Sequence, residues 1–182
     1  MPQSMSKPEP SAGTGPAGRI RRAHLSMQRC CDAVFAPRKI TTDQYSLLRT
    51  VERRQGIRQN ELAVELFTDP NTVTAMLVRL EKRGLVRREI CPEDGRARRV
   101  SLTPAGRRLY ARLSEDWEPM RRKLREIFAG EGGQEAFRIL EEVRALMTNT
   151  REEILESRKR PAMTRRTAAA RTEAGAAVQA AL

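Results

Sequence analysis

"DPNTVTAMLVRLEKRGLVRREICPEDGRARRVSLTPAG", residues 69–106, decides how this chain folds. Its first half reads as a helix with both ends marked. Asp69 can accept from the free N–H groups of a first turn, Pro70 sits at the first helical position with φ already suitable, and Gly84 followed by Leu85 forms a C-terminal stop. Val73, Met76, Leu77 and Leu80 make an apolar stripe at helical spacing, which leaves Asn71, Thr74, Ala75 and Val78 on the other side. The second half alternates as a strand, turns at 92–95 and alternates again through Val100 and Leu102, the pattern of a β-hairpin. Arg96 sits at its tip, while Arg98 and Arg99 fall on opposite faces of the returning strand. Cys91, beside the turn, is expected to be an exposed thiol.

Upstream, Ile20, Ala23, Met27, Cys30/Cys31 and Val34 recur at three- and four-residue steps, an amphipathic helix stopped by Pro37. In "ITTDQYSLLRTVERRQG" (40–56), Thr41 and Gln44 form a capping box for a second helix that buries Tyr45, Leu48 and Val51 and ends at Gly56. "IRQNELAVELF" (57–67) gives a short third helix facing inward through Leu62, Ala63 and Leu66. Arg58 stands at its cap position and cannot accept a bond from the first turn. Downstream, Thr103 and Pro104 open a long helix with a seam of Leu109, Leu113, Trp117, Met120, Leu124 and Ile127. Pro119 is expected to kink or interrupt it. A last helix, about 133–156, is expected to carry Phe137, Leu140, Val143 and Met147 inward.

This order of elements predicts a mostly α fold with a small β-hairpin wing: a winged helix-turn-helix with flanking dimerisation helices. Residues 1–18 read as a disordered leader, about 19–156 as one domain, and 157–182 as a basic disordered tail. Within the domain, about 41–102 form a DNA-binding lobe, and about 19–36 and 103–156 form dimerisation helices whose long seam needs a partner.

Composition points the same way. Lys and Arg number 35 against 23 Asp and Glu, a net charge of +12, which is the profile of a partner for polyanions, nucleic acid first. The tail accounts for less than half of that excess. No apolar stretch has the form of a signal peptide or a membrane span, so a cytoplasmic, nucleoid-associated protein with no membrane partner is expected. One histidine and three cysteines without ligand spacing leave no metal site, no cofactor and no nucleophile-base-orienter set, so an enzyme is not expected.

A major groove about 12 Å wide admits one helix whose N-terminal residues reach base edges. Asn71 and Thr74 are the candidate base readers of helix 69–83, and Gln59, Thr72 and Arg79 are candidate phosphate or sugar contacts. Arg96 at the hairpin tip suits a narrow minor groove, with Asp94 expected to brace its guanidinium through a bidentate contact. Arg98 is the further wing candidate.

The segments "ITTDQYSLLR", "QNELAVEL", "NTVTAMLVRLEKRGLV" and "EDGRARRVSLTPAGRRL", with Asp94 and Arg96 forming an Asp-x-Arg wing signature, resemble the MarR family of bacterial transcription regulators over about residues 19–156. That resemblance implies a homodimer with interlaced terminal helices, a pseudo-palindromic double-stranded operator, and a small aromatic or anionic effector bound between the dimer helices and the DNA-binding lobe. His24, Tyr45 and Trp117 are placed to line such a cleft. One branch of the family senses oxidants through a cysteine of its first helix, which makes Cys30 and Cys31 redox candidates beside the default of structural thiols. Two departures bear on specificity: Arg58 replaces the usual Ser or Thr cap, and Ala75 stands where many relatives carry Arg. The expected function is a sequence-specific, homodimeric transcriptional repressor responding to a small molecule or stress. The alternative is a constitutive architectural DNA-binding protein.

Overall fold

A computed structural model describes residues 15–92 and 94–159, so the leader and tail readings for 1–14 and 160–182 lie outside the described residues. The chain divides after Arg122 into two compact units.

In the first unit, helix α1 (Pro16–Phe35) begins earlier than its apolar pattern, inside the stretch read as a leader, because Pro16 at the first helical position has φ preset for helix. Only Cys31 and Phe35, in its last turns, are buried, whereas Ile20 and Met27 stay exposed. A short 3-10 turn, Ala36–Arg38, and Lys39 at φ 54 reverse the chain into α2 (Thr42–Arg53). Both halves of the expected capping box form, with the Gln44 N–H donating to Thr41 Oγ1 and the Thr41 N–H donating to Gln44 Oε1, each at 3.2 Å. Asp32 of α1 docks the two helices by accepting from the Thr42 N–H at 2.8 Å and from its hydroxyl at 2.7 Å.

The strand β1 (Ile57–Arg58), absent from the sequence reading, pairs Ile57 with Val100. With β2 (Val86–Cys91) and β3 (Asp94–Leu102) it makes a three-stranded antiparallel sheet in the order β1-β3-β2. Helix α3 (Gln59–Glu65) starts at Arg58 with no side-chain cap, as its sequence requires. Helix α4 (Pro70–Lys82) buries Val73, Met76, Leu77 and Leu80, the expected stripe. These residues meet Leu47, Leu48, Val51 and Leu62 from the other helices and Val100 and Leu102 from the sheet in one core.

Helix α5 (Pro104–Ala129) opens as expected, with Thr103 Oγ1 accepting from the Gly106 N–H at 3.0 Å and donating to the Gly84 carbonyl at 2.6 Å. Of the kink or interruption expected at Pro119, the interruption does not occur: the helix is continuous through it. Proline removes one amide donor there, and the rest of the long ladder carries the helix past it. Gly106 marks a close approach: a Cβ at this position would lie 1.9 Å from the Leu85 carbonyl oxygen. Gly106→Ala is therefore expected to destabilise the protein by about 3 kcal/mol, at the upper end of overpacking costs. Urea unfolding measures it, and a loss below about 0.5 kcal/mol would contradict the close approach.

The second unit holds the end of α5 and helix α6 (Gly133–Lys159), which runs three residues beyond its expected end. Gly132 at φ 84 makes the turn, and Phe128 stacks on Phe137 with centroids 4.6 Å apart. Phe137, Leu140 and Met147, expected to point inward, are exposed in the single chain, and Val143 is half-buried. The helical periodicity read correctly, but among the described residues nothing buries this apolar face.

Candidate nucleic-acid interface

The start of α4 is built by Asp69. Its Oδ1 accepts from the N–H groups of Asn71 at 2.9 Å and Thr72 at 3.0 Å, and its Oδ2 accepts from the Thr72 hydroxyl at 2.5 Å. The Thr72 hydroxyl, followed by these N–H groups, holds the Asp69 carboxyl below the usual carboxylate range. Thr72 thus has its hydroxyl proton directed at the cap. Asp69→Ala is expected to lower the midpoint of thermal unfolding by a few degrees, through loss of the cap and without disturbing the core.

Beyond the cap, Asn71, Thr74, Ala75 and Arg79 are exposed along the outer side of α4. Gln59, the first residue of α3, reaches across with its Nε2 donating to Thr74 Oγ1 at 3.0 Å. Two expected contact residues from different helices are thereby joined directly. The far end of α4 is clamped by Arg83, whose Nη1 donates to the Lys39 carbonyl at 2.6 Å and whose Nη2 donates to the Arg38 carbonyl at 3.0 Å. Arg38 in turn makes a two-point bridge to Asp116 of α5, with Nε to Oδ2 at 2.6 Å and Nη2 to Oδ1 at 3.2 Å. That contact keeps the Asp116 carboxyl below its ordinary range, so the bridge persists at neutral pH and is lost only as pH falls through the lowered value. Arg88 of β2 bridges Glu81 of α4 at 2.5 Å and ties the helix to the wing.

In the wing the register jumps: Ile90 pairs with Arg98, but Cys91 pairs with Asp94, so Gly95, Arg96 and Ala97 fall between paired positions. Such a bulge re-aims side chains out of the ladder. Asp94 Oδ1 accepts from the Arg96 backbone N–H at 3.0 Å. It shapes the turn through the backbone, where the sequence reading had it bracing the guanidinium, because an aspartate two residues before an amide closes a local ring more readily than it reaches a long side chain. Arg96 and Arg98 are exposed, and with Gln59, Asn60, Pro70, Asp94 and Ala97 they line one cleft of about 360 Å³ between the wing and the starts of α3 and α4.

Cys91 is 1% exposed, not the surface thiol expected, and its Sγ accepts from Arg99 Nε at 3.3 Å. The partner lies eight residues away across the hairpin, which is why position beside the turn misled. In α1, burial, followed by the neighbouring Cys30, pushes the Cys31 thiol up to about 11. It is protonated at neutral pH, the opposite of a reactive thiolate. Cys30 is half-buried. Tyr45 and Trp117 are buried around Phe35, with ring centroids 4.5 and 6.1 Å away, and Tyr45 also stacks on Tyr110 at 5.9 Å. His24 is exposed on α1. Among the described residues no group of acidic, cysteine or histidine side chains could hold a metal ion, and no helix is long and apolar enough to cross a membrane.

A helix-turn-helix of α3 and α4, backed by a basic β-ribbon, defines a winged-helix protein. The model of the MarR family matches residues 40–97, which span this lobe. HosA, a transcriptional regulator of Escherichia coli O111:H-, is 40% identical over 72 residues, 40% of this chain and 53% of HosA. The homoprotocatechuate degradative operon repressor of Escherichia coli is 30% identical over 115 residues, covering 63% of this chain and 78% of that protein. Among solved structures, the transcriptional repressor CouR bound to a 23-mer DNA duplex is 27% identical with a TM-score of 0.61, over 74% of this chain and 92% of that one. The aligned part of this chain thus spans about half the length of HosA and over three quarters of the operon repressor. The chain belongs to the MarR family, whose members are transcriptional regulators and not enzymes.

Proposed function

We propose that this protein is a homodimeric, sequence-specific repressor that binds a pseudo-palindromic DNA operator and releases it on binding a small aromatic or anionic effector. The observation that carries the DNA reading is the single cleft in which Gln59 and the capped start of α4 face Arg96 and Arg98 of the wing. Asn71 and Thr74, farther along α4, read base edges, Arg79 and Arg98 hold phosphates, and Arg96 enters the flanking minor groove. Thr72 and Asp94 shape this surface through the bonds they make within the chain. The dimer reading rests on the apolar residues that α1 and α6 leave exposed, among them Met27, Phe137, Leu140 and Met147, since a soluble chain covers such a surface with a partner. CouR and the operon repressor are named as repressors, which supports the sign of regulation. For the effector, Tyr45, Trp117 and the exposed His24 are the candidate contacts; Tyr45 and Trp117 pack on Phe35, so a ligand reaching them would part these rings and change the separation of two recognition helices. A DNA regulator of this kind acts in the cytoplasm, at the nucleoid.

Selection of duplexes from a random pool, followed by sedimentation of the complex, tests this. An inverted repeat with half-sites about 10 bp apart and two chains per duplex is expected. A single half-site bound by one chain would overturn the dimeric reading. Affinity that ignores sequence and falls steeply with salt would favour the architectural role that the net charge of +12 allows.

A further inference from the structure

We propose that Thr74 reads a thymine through its γ-methyl group, because its hydroxyl is already committed inside the protein. The inference rests on the sequence-specific DNA binding proposed above and names what one position of that site recognises. Threonine can offer a base one O–H donor, two acceptor positions and a methyl group. The donor is engaged: Thr74 Oγ1 donates to the Pro70 carbonyl, four residues back, at 2.9 Å. One acceptor position is engaged as well, by Gln59 Nε2 at 3.0 Å. Bonds to the helix backbone on one side and to α3 on the other hold the hydroxyl away from a ligand.

In the major groove, guanine N7 and O6, adenine N7 and thymine O4 are acceptors and need a donor that Thr74 no longer has, while the donors adenine N6 and cytosine N4 could meet only its one remaining acceptor position, on an oxygen already drawn toward Pro70 and Gln59. Thr74 is exposed on α4, and with its hydroxyl bonded to Pro70 and Gln59 the group it has left to offer a base is chiefly its methyl. Ala75, also exposed, sets a second methyl beside it, so this part of an otherwise polar face is apolar. Only one of the four bases carries a methyl in the major groove, and that base is thymine. Gln59 acts here as a positioning residue, since its amide fixes the Thr74 hydroxyl from α3.

The probe is the duplex most enriched from a random pool, with each thymine replaced in turn by deoxyuridine, which lacks only the methyl. At one thymine per half-site, uracil is expected to weaken binding by the native chain about fourfold, the value of one buried methyl group. Thr74→Ser keeps the hydroxyl and both of its bonds but should bind thymine and uracil duplexes equally. Thr74→Val keeps the methyl and should retain the fourfold difference. A Thr74→Ser protein that still discriminates, a Thr74→Val protein that does not, or an enriched duplex in which no thymine responds to the change would each overturn the methyl reading while leaving sequence-specific binding intact. A pool that yields no enriched sequence would instead overturn the specific-binding reading, and this one with it.

Discussion

Replacing Arg96 with alanine is expected to weaken binding to a selected duplex by roughly 10- to 100-fold and to reduce the salt dependence of affinity by about the share of one charge. The reason is geometric. Arg96 lies in the part of β3 that falls between paired positions, where its side chain leaves the ladder, and the Asp94 carboxylate fixes the backbone at that point. A backbone already shaped at that point adds no ordering cost of its own on binding. Arg96→Lys should keep the salt dependence while losing part of the affinity, because an ammonium supplies the charge but not the planar set of donors. Fluorescence anisotropy across a salt series separates these outcomes. An Arg96→Ala protein that binds within twofold of the native chain would remove the wing from the interface.

Trp117→Ala should cost about 3–5 kcal/mol of stability, the range for deleting a large aromatic side chain from a packed core. Trp117 is 7% exposed and faces Phe35 at 6.1 Å, which itself packs tilted against Tyr45 at 4.5 Å, so the deletion leaves a cavity where α1, α2 and α5 meet. Urea unfolding at several protein concentrations measures it and separates the packing loss from any loss of association. A cost below about 1 kcal/mol would mean that the indole is not part of the core.

The elements that local chemistry specifies were legible from residues alone. The Thr41–Gln44 box, the Asp69–Pro70 start, the Gly84 stop at φ 67 and the Val73–Met76–Leu77–Leu80 stripe each depend on neighbours within a turn or two, and each formed as read. Strand β1 escaped because two residues carry no periodicity; it exists only because β3 lies beside it. Burial of Cys91 escaped for a similar reason, since Arg99 reaches it across the hairpin. The site divides along the same line. Asn71, Thr74, Arg96 and Arg98 were identifiable as outward and polar or basic, but three contacts were not: the Gln59–Thr74 bond, the Arg83 clamp on the Arg38 and Lys39 carbonyls, and the Arg38–Asp116 bridge. The last spans 78 residues of sequence, and no spacing rule encodes it. The outward exposure of Phe137, Leu140 and Met147 belongs here too: periodicity marks an apolar face without saying which chain covers it.

In the proposed function, α4 and the wing read sequence together and do not merely attract phosphates. The most direct test is the ratio of affinities for the selected duplex and for the same bases scrambled, measured at one near-physiological salt concentration. A ratio of about a thousandfold or more is expected for specific recognition; a ratio near one would contradict the account.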